Sequence, residues 1–85
     1  MFYLYILKSE VDQELYTGST NDLRRRLSMH NTGKVLSTKN RRPFNLIYYE
    51  AYKSESDARQ REKSLKLRGR AMAQLRKRIS ASMQT

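Results

Sequence analysis

The chain has 85 residues, with 18 Lys plus Arg against 8 Asp plus Glu and a net charge of +10. That length allows one domain, and the lack of cysteine excludes a disulfide framework, a thiolate zinc site and a Cys nucleophile. No apolar run approaches the ~20 residues that span a bilayer. Phe2 to Leu7 is too short for a secretory signal and no small-residue cleavage site follows it, so a cytoplasmic or nucleoid-associated protein is expected.

Phe2 to Leu7 reads as a strand, rich in aromatic and branched side chains, with Phe2, Leu4 and Ile6 on one face and Tyr3, Tyr5 and Leu7 on the other. Ser9 to Gln13 is a polar turn, and Leu15 to Ser19 completes a β-hairpin. Gly18, inside that second strand, marks a bulge or a close approach to the backbone. Asn21 is the expected N-cap of a helix, with Asp22 in its first turn. Leu23, Leu27 and His30 follow at helical spacing, and Asn31 and Gly33 supply the stop.

Lys34 to Pro43 is a polar, basic loop, and Phe44 to Tyr52 reads as a third strand whose nearly continuous apolar character predicts deep burial. Ser54 and Asp57 resemble a shortened capping box opening a second helix, which runs to about Leu67 or Arg68 and is interrupted at Gly69. Ala71 to Ile79 is a third helical segment. Residues 80–85 form a small, polar tail expected to fray beyond a domain of residues 1–79. The order β-β-α-β-α-α predicts an α+β fold, a small three-stranded antiparallel sheet flanked by helices.

The positive charge is segregated. Asn21 to Asn45 carries +6 and Arg59 to Arg78 carries +8, while the two remaining stretches, Met1 to Thr20 and Leu46 to Ala58, are each −2. Such a field captures polyanions, so nucleic acid is the expected partner. A solvated surface on a basic ribosomal or chaperone-like protein is the plainer reading. On the loop, Lys34, Lys39, Arg41 and Arg42 are candidate phosphate contacts.

Two helices turn ionisable groups toward the core. Leu23, Leu27 and His30 fall within a ~60° arc, with Arg26 at its edge and four residues from His30. A histidine on such a stripe can be purely structural, but the neighbouring guanidinium makes an anion site. On the second helix Glu62 lies between Ala58 and Leu65, and it is the only acid among nine bases from Arg59 to Arg78. An inward carboxylate needs a partner. Either an ion pair with Arg26 or another arginine, or a hard divalent cation such as Mg²⁺ or Mn²⁺, would satisfy it. With an odd-sum strand register, Tyr3, Tyr5 and Tyr16 share one face of the hairpin.

In order and spacing, Tyr3-Leu4-Tyr5, Tyr16-Thr17-Gly18, Thr20-Asn21-Asp22-Leu23, Arg26, His30, Ala58 and Arg61-Glu62-Lys63 resemble the GIY-YIG nuclease superfamily, and most closely its small stand-alone members. The resemblance covers about residues 2–66. It departs from the family name at Tyr3 and Leu4, and no Asn follows Asn45 to fill a role that some members give to one. What it implies is an endonuclease hydrolysing DNA phosphodiesters with one divalent ion, in repair or recombination. Glu62 would hold the metal, Tyr5 and Tyr16 would line the site with one of them activating water, Arg26 would bind the scissile phosphate, and His30 would orient a tyrosine or relay a proton. A non-catalytic module of the same fold that binds DNA or RNA is the alternative.

Overall fold

The computed structural model describes residues 1–84. Its elements are β1 (Phe2–Ser9), β2 (Leu15–Thr20), α1 (Leu23–Asn31), a 3-10 turn (Leu36–Arg41), β3 (Phe44–Tyr52), α2 (Glu55–Leu67), α3 (Gly69–Arg78) and α4 (Ser80–Met83). The sheet is antiparallel throughout, in the order β2-β1-β3. This is the α+β arrangement expected from the order of elements.

The hairpin register pairs Tyr5 with Gly18 and Leu7 with Tyr16, so Tyr3, Tyr5 and Tyr16 do share a face. Side-chain alternation then divides the core in two. On one face Leu4 and Ile6 pack with Leu65 of α2 and with Leu75 and Ile79 of the C-terminal helices. On the other, Tyr5, Leu7 and Phe44 pack with Tyr16 and with Leu23 and Leu27 of α1. Each fully buried aliphatic side chain here contributes ~1.5–3 kcal/mol.

The deeply buried strand is β1, not β3. β1 is paired on both sides and covered on both faces, whereas β3 lies at the sheet edge and leaves Tyr49 51% exposed. A register shift opposite Ile6 and Leu7 adds one residue to β3. It lets Leu46 join the α1 face while Ile47 joins the other.

Several local signals resolve one residue away from expectation. Asp22, not Asn21, caps α1, its carboxylate accepting from Arg25 N at 3.0 Å. Ser54 precedes α2 without capping it through its side chain, because its hydroxyl meets that of Ser56. The break after α2 falls at Arg68, which is extended, and Gly69 opens α3. Ser80–Met83 makes a helical turn where the sequence suggests fraying. Lys8 Nζ donates to the Met83 carbonyl, and Met83 packs on the core. Thr85, the end of the expected tail, lies outside the described residues.

The segment expected to be an unstructured loop carries the 3-10 turn and is fastened at several points. The buried Ser9 hydroxyl donates to the Arg41 carbonyl, Arg41 Nε donates to Asp12 at 2.8 Å, and Asn31 exchanges hydrogen bonds with the backbone of Phe44.

Helix α2 is pinned on both flanks of its buried stripe. Ala58 and Leu65 point into the sheet. On the β3 side, Arg61 donates to both oxygens of Glu50 at 2.9 and 3.1 Å, and Tyr48 and Tyr52 hydroxyls donate to the same carboxylate. On the β2 side, the next residue, Glu62, accepts from Ser19 Oγ at 2.6 Å.

Candidate active site

Tyr5 is the hub on the α1 face. Its ring lies across Gly18 of the neighbouring strand, where a Cβ would come within 2.5 Å of the Tyr5 hydroxyl and 2.6 Å of Cζ. Only glycine leaves that passage open, which is the close approach the strand glycine signals. Having crossed β2, the hydroxyl lies 3.0 Å from His30 Nε2 and accepts from Arg26 Nε at 3.4 Å. The Tyr16 ring stands 4.9 Å from the imidazole and 6.3 Å from the Tyr5 ring, centroid to centroid.

His30 is fully buried, and its other nitrogen, Nδ1, lies 2.8 Å from Thr38 Oγ. Burial, and then the Arg26 charge, push its pKa down to about 4. The imidazole is therefore neutral near pH 7, with one donor and one acceptor nitrogen. Thr38 Oγ donates to the Val35 carbonyl at 3.4 Å, which assigns the hydrogen to Nδ1 and leaves Nε2 to accept from Tyr5. Burial also raises the Tyr5 pKa, more than the Arg26 hydrogen bond lowers it, so the phenol keeps its proton at rest. The Arg26 pKa is raised, first by that same bond.

Glu62 reaches the site from the opposite face of the sheet, around the edge of β2. Oε1 accepts from Ser19, and Oε2 accepts from Lys66 Nζ at 2.6 Å. Burial favours the neutral acid, but the Lys66 and Ser19 hydrogen bonds outweigh it and hold the carboxyl below its ordinary range. The expected arginine partner is thus a lysine one helical turn away. Lys66 also lies 5.8 Å from the centre of the Tyr16 ring, linking the two halves of the site.

Two hollows follow the outer edge of β2. One, of about 260 Å³, is lined by Ser19, Thr20, Arg26, Ala58 and Arg59 among others. The second, of about 500 Å³, is lined by Ser19, Arg59, Glu62, Lys63, Lys66 and Leu67. They share Ser19 and Arg59 and so form one groove, with Arg26 at one end and Glu62 at the other.

A profile of the GIY-YIG catalytic domain matches residues 1–78, the span that holds all of these groups. The chain belongs to the GIY-YIG nuclease superfamily. Within it, the UPF0213 protein of Oceanobacillus iheyensis is 46% identical over 65 residues, covering 75% of this chain and 74% of that one. A UPF0213 protein of Clostridium perfringens is 42% identical over 67 residues, covering 78% and 71%. The solution NMR structure of the UPF0213 protein from Bacillus halodurans superimposes with a TM-score of 0.54 at 38% identity, over 88% of this chain and 82% of that one.

The fold thus brings Tyr5, Tyr16, Arg26 and His30 into one cluster and sets Glu62 across the strand edge from it. Of the four loop bases, Arg41 is tied to Asp12 and lies 5.5 Å over the Phe44 ring, and the Arg42 guanidinium rests against Gly33. Lys34 and Lys39 are exposed. Thr38, Ser19 and Lys66 carry no motif and were invisible to pattern reasoning, although the four-residue spacing from Glu62 to Lys66 is a readable ion-pair signal.

Among the described residues no group of three or more His, Cys, Asp or Glu side chains could form a metal cage. A single carboxylate suits a hydrated Mg²⁺, which keeps several waters and completes its shell with substrate phosphate. Oε2 of Glu62 is taken by the Lys66 ammonium, which an ion bound there would replace. The donor set fits one divalent ion. No helix is long and apolar enough to cross a membrane among the described residues.

Proposed function

We propose that this protein is a divalent-metal-dependent endonuclease acting on DNA, with Arg26, Glu62 and the Tyr5–His30 pair as its working groups and repair or recombination as its setting. The observation that carries the reading is the ordered bond chain Arg26–Tyr5–His30–Thr38, whose outer member Arg26 lines one end of a groove that has Glu62 at the other. A core needs no such chain for packing.

The chemistry follows from the geometry. Arg26 donates to Tyr5, also interacts with the Tyr16 hydroxyl, and keeps its further donors for the scissile phosphate and the charge that develops on it. Tyr5 can take a proton from the attacking water only if its own proton leaves in concert, and His30 Nε2 at 3.0 Å is the acceptor. Phosphate on Arg26 offsets the charge that, after burial, disfavours the imidazolium, so substrate binding itself makes His30 a better base. Tyr16 lines the site between the imidazole and Lys66. Mg²⁺ or Mn²⁺ held by Glu62 would supply charge neutralisation at the phosphate. Lys34 and Lys39, with Arg41 and Arg42, add to the field that draws DNA in.

A second reading is a non-catalytic nucleic-acid module, favoured by the fact that both Glu62 oxygens already have protein partners. Labelled duplex, flap and single-stranded DNA incubated with Mg²⁺ or Mn²⁺ decides between them. The nuclease reading expects cleavage that falls about 100-fold or more in Glu62→Gln and in Arg26→Ala, with melting temperatures little changed. Equal cleavage by Glu62→Gln, or none by the wild type on any substrate, supports the binding module.

A further inference from the structure

The stretch with the highest charge, Arg59 to Arg78, is not absorbed by the catalytic cluster, and part of it faces the groove. Arg59, Lys63 and Lys66 recur at i, i+4 and i+7, which puts them on one stripe of α2 beside Glu62. All three line the hollow that Glu62 shares with Ser19, and Arg59 also lines the hollow that holds Arg26. The floor between them is the outer, unpaired edge of β2.

We infer that this stripe is the substrate track: Arg59, Lys63 and Lys66 grip the phosphates of a single DNA strand and deliver it between Glu62 and Arg26. The inference rests on the nuclease reading and adds the path and the strandedness of its substrate. From Arg59 to Lys66 the helix rises about 10.5 Å, long enough to meet more than one phosphate of one backbone. The stripe lies on one helix, so a single backbone can satisfy it without a complementary strand.

The competing carboxylates do not block it. Glu55 lies 3.4 Å from Arg59, but the two side chains are 55% and 71% exposed, and such a pair is worth so little that phosphate displaces it. Glu62 occupies Lys66 but not Arg59 or Lys63. The basic loop is less available at Arg41, which is tied to Asp12 and lies over the Phe44 ring.

Fluorescence anisotropy with a labelled single-stranded oligonucleotide, in EDTA and across a salt series, tests the assignment with the full chain. For Arg59→Gln/Lys63→Gln the slope of log K against log salt should fall by about 1.4, two contacts at ~0.7 each. Lys34→Gln/Lys39→Gln should lower it less, because the loop adds to the attracting field without gripping phosphates in the groove, and duplex of the same sequence should bind no more tightly than the single strand. The track is overturned if the α2 pair leaves the slope unchanged, if the loop pair lowers it as much, or if duplex binds more tightly. Both pairs are exposed, and circular dichroism confirms folding. Since no cleavage occurs in EDTA, a wild type that binds through α2 but never cuts would remove the nuclease reading and leave the track standing. A wild type that cuts but fails the slope test would do the reverse.

Discussion

Acidification from about pH 7.5 to about pH 4.5 should cost this protein roughly 2–3 kcal/mol through His30 alone. Its folded pKa of about 4 lies well below the ordinary 6.5, chiefly because the ring is buried. Between those values the unfolded chain binds a proton that the native state refuses, so stability falls as pH falls. The contribution is complete above 6.5 and exhausted below about 4. The carboxylates Glu50, Glu62 and Asp12, all with lowered pKa, begin from ordinary values of 4.5 or less, so their losses start only at the foot of this window and fall mainly below it. A domain of this size is stabilised by ~4–13 kcal/mol, so the His30 share is large. Urea denaturation followed by far-ultraviolet circular dichroism at several pH values reads it directly. His30→Gln, whatever its stability at neutral pH, should show a nearly flat response between 6.5 and 4.5. A variant that keeps the wild-type slope would refute the reasoning, because the titrating group would then lie elsewhere.

Gly18→Ala should drive the new methyl into the buried Tyr5 ring and cost about 1–3 kcal/mol. A thermal melt together with the His30 ring NMR signals checks it, and an unchanged melt with an unchanged Tyr5–His30 bond contradicts the crossing. Glu50→Gln should weaken the clamp on α2 by about 1–2 kcal/mol, since the Arg61 pair is only 18% and 29% exposed. In that variant Tyr52, whose pKa is pushed up to about 12 by burial and then by donation to Glu50, should ionise at lower pH in an ultraviolet titration. Glu50→Leu/Arg61→Leu should be less damaging than either single change, because neither partner is left stranded.

Much of the fold could be read from the chain. Period-two alternation in Phe2 to Leu7 and the odd-sum hairpin register put the tyrosines on one face, as observed. The stripe Leu23, Leu27, His30 faced inward as its spacing required. What failed was inference from local composition to tertiary position. Phe44 to Tyr52 looks more buried than it is because strand order, which decides burial, has no local signal. The helix break moved to Arg68 because an extended residue can end a helix as well as a glycine. Thr38 and Ser19 escaped notice because a lone hydroxyl acquires meaning only from what folds against it, 8 residues away for His30 and 43 for Glu62. Lys66 differs, because its four-residue spacing from Glu62 is present in the sequence itself.

The sheet edge itself has a consequence for how this site comes into being. Arg26, Tyr5 and His30 belong to the layer beneath β2, and Glu62 to the layer above it. Neither layer contains both the anion grip and the carboxylate. A chain with only one helical layer docked could attract a polyanion or hold a cation, but not both at the same phosphate. Under the nuclease reading, competence is therefore a property of the finished molecule, gained only when both helical layers have closed on the sheet.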